Sequence, residues 1–244
     1  FDSVNLALLD QGPAILTLDL NQGIDLKDNR GTLIAASNRA RAQLGLAATV
    51  KDVLYDSDTG DLSFRIQNNT GHKLLSGYPE GRRMFVNIKA YDGSDNLIFE
   101  VNPYAYTLDV DGKGGTLKGL SDHVGLSPAV GANETFLDEL VYEVKPGSDF
   151  TGEDKTFHFA LATNRFKDNR IPPKGFDIGS ASDRLIRPVW NGVESSGYFT
   201  ADEYQGGYDQ VSLDGILPTG AARVEVTIYY QGTSREYVQF LSEE

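Results

Sequence analysis

The chain has no cysteine in its 244 residues. That single absence removes disulfides, thiolate zinc sites, iron–sulfur clusters, cysteine nucleophiles and covalent c-type haem attachment. Histidine is almost as scarce: His72, His123 and His158 are the three present, and no short metal-ligand spacing links them. No stretch reaches the roughly 18 uninterrupted apolar residues of a membrane span, so none is expected. Basic side chains are in deficit, 22 against 35 acidic, giving a formal net charge of -13 at pH 7. Nucleic-acid binders carry a basic face, and this balance argues against that class. Enzyme templates are missing too: the sequence has no nucleophile elbow, no His-Glu-x-x-His, no P-loop and no dinucleotide fingerprint. It reads as non-catalytic.

What is present suffices for a packed core. Hydrophobic residues make up 40% and aromatics 10%, which excludes a disordered chain. The sequence opens at Phe1 without the basic and apolar regions of a secretion signal, and reads as a mature product or a fragment. Residues 1–48 read as an extended arm followed by one helix at about 30–45, where Thr32, Leu33, Ile34, Ala35, Ala36, Ala40, Ala42 and Leu44 stand near helical spacing. From 49 to 244 the period is two. Leu62, Phe64 and Ile66 alternate with polar residues, and Met84, Val86, Ile88 and Ala90 do the same with Asn87 and Lys89 expected in water. Further strands are expected at 97–101, 104–109, 139–144, 156–162, 223–230 and 237–240. The fold class is therefore mainly β, an immunoglobulin-like β-sandwich with an N-terminal arm and one helix. Two long loops are expected, at about 68–83 and 164–222.

The 68–83 connection is far longer than an ordinary hairpin turn, and it gathers His72 with Lys73, Arg82 and Arg83 in an acidic chain. A cationic surface bearing an imidazole can hold an anion or a partner's carboxylates, and neutral imidazole can ligate a metal. Solvated charges around a glycine-shaped loop are the alternative. His158, between Phe157 and Phe159, reads as a packed residue, whereas His123 in a loop is the second-choice ligand. Asp109 and Asp111 before Gly112 outline the start of a calcium loop. The later ligands and closing Glu are missing and Lys113 opposes a cation, so a plain turn is the simpler reading. Asp56 to Asp61 is likewise read as a turn.

Three segments carry a resemblance: NNTGHKLLSGYPEGRRMFVNIKAYD, KDNRIPPKGF and GAARVEVTIYYQGTSREYVQFL. In this order they resemble the C-terminal β-rich region of secreted bacterial multihaem c-type cytochromes, over roughly residues 35–243. Leu75 departs from that pattern, which usually has Pro there. The haem-attachment Cys-x-x-Cys-His motifs of those proteins are absent from this chain. The resemblance therefore implies an accessory domain, extracellular or at the cell surface with the periplasm as second choice. Its partner would be a haem-bearing cytochrome chain or the upstream portion of one precursor, within a larger assembly. His72 would then face or ligate the partner's haem c, with Lys73, Arg82 and Arg83 near its propionates. A secreted adhesion or carbohydrate-binding module, using 12 Tyr and 12 Phe as stacking surfaces, is the other reading. A hydrolase with two facing carboxylates is the third.

Overall fold

The computed structural model describes residues 30–75, 81–105, 125–180 and 186–243. The chain divides into two compact units, Phe1–Ala47 with Leu108–Lys118, and Ala48–Thr107 with Gly119–Glu244. In the first unit the described element is one helix, α1 (Arg30–Ala47), two residues longer than its sequence pattern. Among the described residues no helix is long and apolar enough to cross a membrane.

The second unit is a β-sandwich, as its period-two patterning predicts. One sheet orders β1 (Ala48–Tyr55), β2 (Leu62–Asn68) and β12 (Tyr208–Leu213) as β1-β2-β12. The larger sheet centres on β3 (Arg83–Tyr91). One edge of β3 pairs along its whole length with β13 (Arg223–Gln231); the other is shared between β8 (Val141–Gly147) near residue 85 and β4 (Leu97–Val101) near residue 90. Beyond β8 follow β9 (Asn164–Asp168), β10 (Val189–Trp190) and β11 (Val193–Glu194), and beyond β4 the short β7 (Glu134–Thr135). A separate pair joins β5 (Tyr104–Ala105) to β6 (Gly125–Leu126); residues 106–109 of the expected strand lie outside the described residues.

The alternation in β2 is realised, with Leu62, Phe64 and Ile66 buried. β3 is covered on both faces. Besides Met84, Val86, Ile88 and Ala90, it buries Phe85 against Leu126 and Val141, each such side chain contributing about 1.5–3 kcal/mol. Asn87 is therefore not in water: its Nδ2 donates to Glu100, to the Val101 carbonyl and to the Asn102 carbonyl. One polar bridge ties the two sheets. Tyr142 on β8 donates its hydroxyl to Asp209 on β12 at 2.5 Å.

Four expectations need correction. β1 escapes the period-two reading because a bulge between Lys51 and Leu54, with Asp52 at φ 53, breaks the alternation. Residues 156–162 are not a strand but a coil ending in a 3-10 turn at Phe159–Leu161, so His158 sits on that turn edge-on to Phe240. The segment 164–222 is not one loop: it holds β9 to β12 and a short helix, α2 (Ala201–Gly206), whose Thr200 and Glu203 form a reciprocal capping box. Gly207 ends α2 at φ 67, and a Cβ there would lie 2.3 Å from the Lys174 amide nitrogen; only glycine satisfies both conditions. Finally, 237–240 belongs to a helix, α3 (Arg235–Glu243). Tyr237, Phe240 and Leu241 stand at helical spacing, and Ser234 just before α3 accepts the Tyr237 amide with its side chain. Ser234→Ala should lower unfolding free energy by about 1 kcal/mol, measured by urea unfolding.

Candidate functional site

The three segments that carry the resemblance, far apart in sequence, interlock. The Leu74 amide donates to the Ile171 carbonyl, joining the loop after β2 to the stretch after β9. Asn68 supplies its Nδ2 to the carbonyls of His72, Ile171 and Pro172, while its Oδ1 accepts from the Thr70 amide and hydroxyl. Arg170 reaches back to the Leu75 carbonyl. The third segment closes on the first, with the Ser234 amide donating to the Gly81 carbonyl and the Tyr237 ring 3.0 Å from where a Cβ of Gly81 would stand. Leu75 has φ 76, a value the proline ring forbids. The departure from proline is thus a matter of backbone conformation as well as stiffness.

Lys73 and Arg83, expected on a cationic surface, turn inward. The Lys73 ammonium, 11% exposed, donates to Asp168 at 3.0 Å, and Asp168 also takes Arg165 and Arg170. Burial pulls the Lys73 pKa down to about 8, against the opposing pull of Asp168. Arg83 is 2% exposed; it donates to Glu236, to the Gln231 side chain and to the Leu126 carbonyl. Arg82 beside it is half-buried. The four residues of the expected patch therefore do not share one surface.

Two charge networks replace it. In the second, the buried Glu143 carboxylate meets Lys145 at 2.8 Å, Lys167 at 3.0 Å and Arg83 at 3.9 Å, with Asp138 joining both lysines. Burial alone would raise the Glu143 pKa; the charges of Lys167, Lys145 and Arg83 outweigh it and hold the carboxyl below its usual value. The lysines divide: burial lowers Lys167, whereas for Lys145, less deeply placed, Glu143 overcomes burial and raises it. Neighbours Lys167 and Asp168 on β9 feed one network each. Sequence reasoning missed Glu143, Lys167, Asp168 and Arg170; the Lys-Asp-Asn-Arg string was the signal.

His72 is exposed at the lip of this loop. Its Nδ1 lies 2.9 Å from the Lys73 carbonyl oxygen and 3.3 Å from the Thr70 hydroxyl. Donation from Nδ1–H to that carbonyl leaves the lone pair on Nε2, the tautomer a metal-ligating imidazole uses. Beside it opens a cleft of about 670 Å³ whose walls include Asn69, Thr70, Lys174, Phe176, Asp177 and Ile186. Of the remaining candidates, His123, Asp109 and Asp111 lie outside the described residues. Asp56–Asp61 is a turn, in which the Asp58 amide donates to the Asp56 side chain. Among the described residues no three His, Cys, Asp or Glu side chains group to hold a metal ion.

No family model matches the chain, and no curated protein matches it. A solved structure, that of a penta-heme cytochrome c552 from Thermochromatium tepidum, aligns at 15% identity with a TM-score of 0.48, over 83% of this chain and 36% of that one. The chain thus spans about a third of the length of that protein.

Proposed function

We propose that the chain is a non-catalytic accessory domain of an extracytoplasmic bacterial multihaem c-type cytochrome, docking on the haem-bearing portion and shielding it from water. The observation behind this reading is that the three resembling segments build one interlocked structure around the His72 loop. Ion pairs such as Lys73–Asp168 and Arg83–Glu236 hold that loop from within, so that its outer lip is the part offered to a partner. The partner's haem supplies electron transfer when bound. This chain binds, orients and excludes water, with His72 as the residue that faces or ligates the haem. Lowering polarity around a haem edge shifts its potential, which gives shielding a physical consequence. With no cysteine in the chain, the haem belongs to a separate chain or to an upstream portion of a common precursor.

The test is a visible absorption spectrum of the native assembly. A Soret band is expected to travel with this chain through size exclusion, and His72→Ala is expected to alter the low-spin haem spectrum or its potential. Colourless native material with no haem-bearing companion would overturn the proposal; glycan binding by such material would point to a carbohydrate-binding module. A Soret band unaltered in the variant would remove His72 from the haem.

A further inference from the structure

Two carboxyl groups meet where α2 packs on β12, and among the described residues neither is paired with a cation. Glu203 on α2 is 6% exposed, and its carboxylate is fully used: Oε2 accepts from the Thr200 amide and hydroxyl, and Oε1 accepts from the Gln210 amide. A carboxylate holding three donors stays ionised. Asp209, the residue before Gln210, has one donor, the Tyr142 hydroxyl at 2.5 Å. The proton available to the pair therefore resides on Asp209, which donates it to Glu203 in a hydrogen bond. The other titratable group facing Asp209 is Tyr198. From β2 it meets Ile66 in register, while Arg65, one residue along, lies on the opposite face of that sheet over the Tyr208 ring. Arg187 acts on the Tyr204 phenol next to Glu203 but not on Asp209.

The same short helix carries both walls of the cleft beside His72. On one side the Tyr204 carbonyl accepts from the Gly175 and Phe176 amides, and the Tyr204 ring stacks on Phe176 with centroids 5.9 Å apart. Gly175 and Phe176 belong to that wall. On the other side the Gly207 carbonyl, just past the helix, accepts from the Asn68 amide and from Gln67 Nε2. Asn68 is the residue that frames the loop, and Asn69 and Thr70 form the facing wall. Whatever shifts α2 shifts both walls.

We propose that Asp209 and Glu203 form a pH-sensitive latch on α2. Protonated Asp209 bonds the helix to β12 and holds the cleft walls together; on ionisation its proton leaves to solvent, the two carboxylates repel, and α2 releases both walls. Desolvation, reinforced by Glu203, raises the Asp209 pKa to about 6, so the closed form is favoured in acid and lost as pH rises through that value. With Asp209 hydrated in the open form at its ordinary value of about 3.9, the open fraction should rise about tenfold between pH 5 and pH 7.5. The latch belongs to the free chain, goes beyond the haem reading and does not depend on it.

Native-state amide hydrogen exchange, followed by NMR on the full chain at both pH values and divided by the intrinsic rates, tests it. Protection of the Asn68, Gly175 and Phe176 amides is expected to fall about tenfold from pH 5 to pH 7.5, and their exchange should stay flat in low urea, the mark of a local opening. Asp209→Asn, which still accepts from Tyr142 and donates to Glu203 without titrating, should keep the higher protection at both pH values. Unchanged protection in the natural sequence would overturn the latch. So would a urea slope as steep as that of global unfolding, or an equal fall in the asparagine variant.

Discussion

Glu143→Gln should destabilise the β unit by about 3–5 kcal/mol, the usual cost of removing one partner from a buried ion pair. The carboxylate is 4% exposed and stands among Lys145, Lys167 and Arg83. Without it, Lys167 and Arg83, each 2% exposed at the side chain, keep only the half-exposed Asp138 and Glu236 as counter-charges. At about 2–4 °C per kcal/mol for a domain of this size, the melting temperature falls by roughly 10 °C. Glu236→Gln is the control. Its carboxylate is 41% exposed, and without it Arg83 keeps the Gln231 side chain, the Leu126 carbonyl and Glu143, so a smaller loss than for Glu143→Gln is expected. Equal losses in the two variants would show that the network does not hinge on Glu143. The sign of the pH dependence follows from the depressed Glu143 pKa: its contribution is present above the unfolded carboxyl value and is lost as pH falls through the lower folded value.

Asp209 works in the opposite direction. It is placed between the sheets against the Tyr142 hydroxyl, and the facing groups are Tyr142, Tyr198 and the buried Glu203, with no cation paired to it among the described residues. Desolvation, reinforced by the Glu203 charge and only partly offset by the Tyr142 hydrogen bond, raises its pKa to about 6. A folded-state pKa above the unfolded one means stability that is full below about pH 4 and lost as pH rises through 6. The domain is therefore expected to gain about 1–1.5 kcal/mol on going from pH 7.5 to pH 5, a rise of several degrees in melting temperature. Asp209→Asn, which still accepts from Tyr142 and can donate to Glu203, should melt about 5 °C higher at pH 7.5 and lose most of that slope. An unchanged slope in the asparagine variant would show that another group sets it.

The sandwich was legible wherever a strand keeps one face in water. Leu62, Phe64 and Ile66 announce β2, and Val224, Val226 and Ile228 announce β13. Legibility fails where that condition fails. β3 is covered on both faces, so Asn87 satisfies itself internally rather than in solvent; β1 carries a bulge; and α3 was hidden because Tyr237 to Phe240 is too short a run to tell a strand from a helix without weighing Ser234 as a cap. The candidate site was legible as a place, since the long connection after β2 does border a cleft. It was not legible as a charge pattern. Sequence shows how many cations a loop holds, but their partners, Asp168 and Glu236, come from strands and helices 95 and 153 residues away. Asp209 carried no local signal, because a desolvated carboxyl is a property of surroundings assembled by the fold.

The clasp between Gly81 and Ser234 sets an order of events during biogenesis. The loop after β2 is translated early, yet its frame closes only after residues 234–237 have left the ribosome or crossed a translocon. Until then Arg83 lacks Glu236, and β3 lacks β13 along one whole edge. Such distant pairing makes for slow, late folding with an exposed strand edge in the interim. Secretory or cytoplasmic chaperones are thus expected to matter most for nascent chains cut short of residue 234.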